Sequence, residues 1–137
     1  MQKIFIDSDV VLDVMLDREP HYPFSVQVFA LLDIKAVKGH VSSLVFSNLY
    51  YVLRKVKASS IVIKALLQLR GMVDVIPVHQ EIIDRALASD FKDFEDAIQY
   101  YAAMEKGLDL IITRNKKDYK KADVAVMTPE EFVASVA

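Results

Sequence analysis

The chain has 137 residues, 53% of them apolar, enough for one compact domain with a real core but not for two, so one domain is expected over 1–137. With no cysteine, disulfides, thiolate-held zinc and cysteine nucleophiles are excluded, and any metal must sit on oxygen or histidine ligands. Basic and acidic residues nearly balance at a net charge of −2, which excludes an overall basic field, so a nucleic-acid partner must be held locally.

The apolar run at Ile4-Phe5-Ile6 is too short, and ended too soon by acid, to serve as a signal peptide. No segment approaches the length of a membrane span, so a cytoplasmic protein with no membrane partner is expected. Residues 3–6 read as a buried strand closed by the polar turn Asp7-Ser8-Asp9. Further strand signals follow at 40–42, 73–76, 108–112 and, more weakly, 124–126. Between them, helical spacing covers 10–16, 24–38, 43–57, 59–69, 80–88, 94–106 and 130–136. Ala58-Ser59-Ser60 reads as a hinge between two helices. Gly71 and Gly107 each follow a helical pattern and precede a strand, as left-handed caps do. Thr128-Pro129-Glu130-Glu131 combines a threonine cap, a proline at the first helical position and a reciprocal glutamate.

The alternation predicts an α/β fold, a three-layer α/β/α sandwich around a central parallel sheet of four to five strands, because parallel crossovers need helices. In such sheets ligands bind beyond the carboxyl ends of the strands, where the strand order switches. Carboxylates recur at that rim: Asp7 and Asp9 after the first strand, Asp93, Glu95 and Asp96 at a helix start, and Asp118 after the fourth strand signal. Such a set suits Mg²⁺ or Mn²⁺, which could orient a water for attack on a phosphodiester without a protein nucleophile. Other roles are open. Asp93 is also an ordinary helix cap, Glu95 a favourable charge on the helix dipole that is left out of the site, and Asp118 equally a turn residue.

Three segments resemble motifs of PIN-domain ribonucleases, including the bacterial toxin-like members. They are Phe5-Ile6-Asp7-Ser8-Asp9-Val10, Asp93-Phe94-Glu95-Asp96-Ala97-Ile98, and Ile111-Ile112-Thr113-Arg114-Asn115-Lys116-Lys117-Asp118, and the closing Thr128-Pro129-Glu130-Glu131-Phe132 extends the likeness to the whole chain. The resemblance implies the three-layer fold and metal-dependent cleavage of RNA, often as a toxin held by a small antitoxin protein. It assigns the metal and catalytic roles to Asp7, Asp96 and Asp118, with Asp9, Asp93, Thr113 and Asn115 as accessory groups. It departs at Asn48, where the family usually has a glutamate. An amide brings no charge, which implies a weaker metal site.

Arg114, Lys116 and Lys117, with Lys120 and Lys121, form a basic cluster that could grip RNA phosphates. Arg54, Lys55 and Lys57 read instead as a helix end. At least one tyrosine of each pair, Tyr50-Tyr51 and Tyr100-Tyr101, is expected in the core. The three histidines show no ligand spacing. Two alternatives stay open: a haloacid-dehalogenase-like phosphatase using Asp7 as nucleophile, and a PIN-fold binding module whose catalysis has decayed with Asn48. The oligomeric state is open to a homodimer.

Overall fold

The computed structural model describes residues 1–119 and 123–136. Its elements are β1 (Lys3–Ile6), α1 (Ser8–Met15), α2 (Tyr22–Asp33), β2 (Lys38–Ser42), α3 (Ser43–Leu53), α4 (Ser59–Met72), β3 (Val73–Ile76), α5 (Gln80–Leu87), α6 (Phe94–Glu105), β4 (Leu110–Ile112), a short 3-10 turn (Lys116–Tyr119), β5 (Ala125–Met127) and α7 (Pro129–Val136). The five strands form one parallel sheet in the order β3-β2-β1-β4-β5.

Both faces of the sheet are covered, and the alternation of side chains along the strands decides which residue goes where. Ile4, Ile6, Leu110 and Ile112 point to one side, into a core completed by Val10, Val28, Leu49, Val62 and Phe132 from α1, α2, α3, α4 and α7. Phe5 and Ile111, one residue out of phase, point to the other side against Ile82 of α5 and Ala97, Ile98 and Ala102 of α6. The result is the expected three layers.

Local signals explain most of the helix boundaries. Thr128 Oγ1 accepts from the Glu131 N–H at 3.2 Å while Glu131 Oε1 accepts from the Thr128 N–H at 2.9 Å, a reciprocal cap that starts α7. Gly107, at φ 66°, closes α6 as expected. Gly71 does not play that part, because α4 runs through it to Met72. The helix expected over 24–38 stops at Asp33. Lys35 takes the left-handed region at φ 59° and the Ala36 N–H folds back to Leu31 O at 2.9 Å, which frees Lys38 to open β2. The link between α3 and α4 is 54–58, so Ser59 and Ser60 belong to a helix.

Among the described residues no helix is long and apolar enough to cross a membrane. Strand β1 sits between β2 and β4, so the chain builds one half of the sheet on one side of β1 and then crosses to the other. The switch in strand order therefore falls between β1 and β4, where a crevice opens beyond their carboxyl ends.

Candidate active site

Asp7 stands at that switch. Its backbone N–H donates to Ile112 O at 3.0 Å, prolonging the β1–β4 pairing, and its side chain caps α1 by accepting from the Ser8 N–H at 2.7 Å. The other carboxylate oxygen accepts from the Thr113 hydroxyl and the Tyr119 hydroxyl, both at 3.0 Å. Only 7% of the residue is exposed. Burial pushes its carboxyl above the ordinary range, against the pull of the Thr113, Tyr119 and Ser8 donors.

Asp9, one helical step on, is bound to the same turn after β4. Its Oδ2 accepts from Asn115 Nδ2 at 3.2 Å and lies 3.4 Å from Thr113 Oγ1, so the Thr113 hydroxyl bridges the two aspartates. Its Oδ1 is buried with no hydrogen-bond partner. Burial, then the charge of Asp7, pushes the Asp9 carboxyl up to about 7.

Asp96 enters from α6. Asp93 caps that helix by accepting from the Asp96 N–H at 3.0 Å, as its ordinary reading had it. Burial pushes Asp96 up to about 7, followed by the charges of Asp7, Asp93, Asp118 and Asp9. Asp93, Asp96 and Asp118 line a cleft of about 330 Å³ together with Phe91, Lys92 and Lys117. Asp7 is not on the cleft wall and reaches Asp96 through its charge. Asp118 is exposed in the 3-10 turn.

These residues are chemically suited to a hard divalent cation. The donors are all oxygens, one buried carboxylate oxygen is orphaned, and burial followed by mutual repulsion raises two acids that a cation would draw back to their charged form. Among the described residues no three His, Asp or Glu side chains stand close enough together to hold an ion between them. A cation there would have few protein ligands and would complete its shell with water or substrate phosphate.

The basic cluster is placed less simply. Arg114, expected to grip RNA, has its Nε 3.2 Å from Oδ2 of Asp13, a wholly buried acid of α1. The contact lacks hydrogen-bond geometry, so charge holds the pair. Burial raises Asp13, and Arg114 pulls it back. Lys116 pairs with Glu131 at 3.1 Å on the surface, leaving Lys117 as the one member of the expected RNA-gripping trio 114, 116 and 117 on the cleft wall, where Lys92 joins it. Lys120 and Lys121 lie outside the described residues. Arg54 donates to Lys57 O at 2.8 Å, in keeping with its reading as a helix end.

Two pairings were not legible in the sequence. Tyr119 is 2% exposed, held by Phe91 at a ring separation of 6.4 Å, and burial followed by the Asp7 charge raises its phenol. Its only signal was an aromatic ring directly after the polar run 114–118. Asp13 was signalled only by a charge at core spacing, three residues after Val10. Of the tyrosines expected in the core, Tyr100 is buried, but Tyr50 and Tyr51 are both exposed on α3, with Lys55 over the Tyr51 ring at 4.7 Å. Asn48 does not turn to the aspartates. Its amide nitrogen donates to Glu95 Oε1 at 3.3 Å.

Comparison with known proteins bears on the fold and the family. Ribonuclease VapC1 of Aquifex aeolicus (strain VF5) is 31% identical over 139 residues, covering 96% of this chain and 93% of that protein. The fold is shared with VapBC2 from Rickettsia felis, solved bound to a DNA fragment from its promoter, at a TM-score of 0.68 and 13% identity over 93% of this chain and 98% of that one. It is shared equally with a toxin–antitoxin complex from Klebsiella pneumoniae, at a TM-score of 0.68 and 22% identity over 92% and 97%. A PIN domain model matches residues 3–117, from the first residue of β1 through the turn that carries Thr113 and Asn115, and with it the chain belongs to the PIN-domain family.

Proposed function

We propose that this protein is a divalent-cation-dependent endoribonuclease in which Asp7, Asp96 and Asp118 hold Mg²⁺ or Mn²⁺. The observation that carries the proposal is the crowding of carboxylates at the β1–β4 switch, where Asp9 and Asp96 are both pushed up to about 7. Evolution has little reason to gather repelling acids except to bind a cation. When bound, the cation supplies activation of the attacking water and charge neutralisation at the departing oxygen. The chain's own residues do the positioning. Thr113 and Tyr119 fix the rotamer of Asp7, Asn115 fixes Asp9, and Asp93 sets the first turn of α6 from which Asp96 projects. Lys117 on the cleft wall meets substrate phosphate, with Arg114 held back as a structural cation. RNA is favoured as substrate because the 31% identical relative is a ribonuclease, and RNA turnover places the work in the cytoplasm.

The toxin–antitoxin complex among the fold neighbours supports a small antitoxin protein as partner. A cleft of about 360 Å³ between α1, α2 and α4, lined by Met15, Phe29, Ile61, Leu69 and Met72, offers an apolar seat for it. The haloacid-dehalogenase-like alternative has no counterpart in a match that covers residues 3–117.

The test is cleavage of an unstructured RNA with Mg²⁺, with Mn²⁺ and with chelator. Activity in either metal, abolished by chelator and by Asp7→Asn, is expected. A second reading, favoured by the uncharged Asn48, is a binding module that has lost catalysis. RNA retained without cleavage in both metals, with cleavage gained in Asn48→Glu, would replace the first reading with the second.

A further inference from the structure

Asn48 is on α3 at the position where PIN-domain resemblance implies a glutamate, and the acid it lacks stands directly in front of it. Its amide nitrogen donates to Glu95 Oε1 at 3.3 Å, across 47 residues of sequence. A glutamate at 48 is one methylene longer than asparagine, so the carboxylate it would bring reaches towards the place that Glu95 Oε1 now takes. The two helices are held in register there. Ser42, the residue before α3, donates to Gln99 Oε1 at 2.6 Å in the interior, and Gln99 lies one turn along α6 from Glu95 on the same face. Glu95 therefore faces α3; it directly precedes Asp96 in the first turn of α6 and stands off the wall of the cleft that Asp96 lines.

The ordinary reading of Glu95, a charge on the helix dipole, leaves this contact without a reason, since a first-turn acid needs no partner across the domain. Glu95 also forms no ion pair among the described residues, whose ion pairs all involve other acids. An amide donor suits it. Asn48 offers a hydrogen to one carboxylate oxygen and leaves the other free, whereas a glutamate at 48 would repel it.

We propose that Glu95 supplies from α6 the carboxylate that α3 lacks, with Asn48 as the positioning residue that holds it at the edge of the acidic site. The number of acids around the site is then unchanged, and the helix that delivers one of them has been exchanged. The inference rests on the reading of the site as a divalent-cation centre.

The experiment is calorimetric titration of Mn²⁺ into the full chain stripped with chelator, for wild type, Glu95→Gln, Asn48→Glu and the double variant N48E/E95Q, with thermal melts in chelator beside it. Glu95→Gln is expected to weaken Mn²⁺ binding by about tenfold or more, as removal of a ligand or its support does. It should melt no lower than wild type in chelator, and N48E/E95Q should recover most of the lost affinity. A dipole role predicts the reverse, a lower melt with Mn²⁺ affinity unchanged, and would overturn the proposal. Loss in Glu95→Gln that N48E/E95Q does not recover overturns the exchange between helices. Unchanged affinity in Glu95→Gln, with saturable binding by wild type, overturns this inference alone. No saturable binding by wild type overturns the divalent-cation reading and the inference with it.

Discussion

Asp96→Asn isolates the electrostatic cost of the site, because it deletes a charge and little else. The cap from Asp93 uses the backbone N–H of residue 96, which the variant keeps. Burial and the charges of Asp7, Asp93, Asp118 and Asp9 push the carboxyl from 3.8 to about 7. A shift of about three units sets a ceiling of about 4 kcal/mol against the ionised form. Asp96 is only half-buried, so solvent screening lowers this to about 1–2 kcal/mol. The amide gives up an attraction to the start of α6 worth about 0.3–1 kcal/mol. The combined cost of burial and repulsion wins, by about 1 kcal/mol, which is about 3 °C of melting temperature in a chain of this size. The folded pKa lies above the unfolded one, so the neutral acid costs nothing below about pH 4. The penalty grows as pH rises to 7 and is complete above it. In chelator the variant should therefore melt above wild type at pH 8 and approach it at pH 5, followed by circular dichroism. Saturating Mn²⁺ should reverse the order at pH 8, because wild type alone then gains the full ligand set. A variant melting at or below wild type at pH 8 in chelator would refute the crowding on which the site rests.

Arg114→Met strips Asp13 of its closest cation, and urea unfolding at pH 8 should show a loss of about 3 kcal/mol, shrinking at acid pH as the raised carboxyl of Asp13 takes up a proton. Intact stability with weakened RNA binding would instead return Arg114 to the substrate. Tyr119→Phe removes one of four side-chain or backbone donors on Asp7 and should cost about 1 kcal/mol at neutral pH, with weaker Mn²⁺ binding from a less fixed carboxylate. Unchanged denaturation and Mn²⁺ titration would show that Thr113 and Ser8 suffice to hold it.

What the sequence determined by itself was local. The reciprocal cap at Thr128 and Glu131, the Asp93 cap on α6 and the left-handed Gly107 each depend on residues within about one helical turn, so reading the neighbours is enough. The strand signals at residues 3–6 and 108–112 also marked β1 and β4, but which residue of an unbroken apolar run enters which core was decided only by the helices that cover each face. Positions that no turn signal marks were misread: α2 ends at a left-handed Lys35 where a glycine was the expected sign, and Gly71 continues a helix it was expected to end. Motif order also brought Asp7, Asp96 and Asp118 forward, but not their environment. The Tyr119 hydroxyl meets Asp7 across 112 residues, Arg114 meets Asp13 across the same crevice, and Asn48 turns to Glu95. Those pairings exist only because β1 lies between β2 and β4, so that the chain crosses the sheet midway and brings the turn after β4 back onto α1. Strand order is settled by packing the whole chain at once, and it alone decides which buried charges find a partner and which, like Asp9 Oδ1, are left without one.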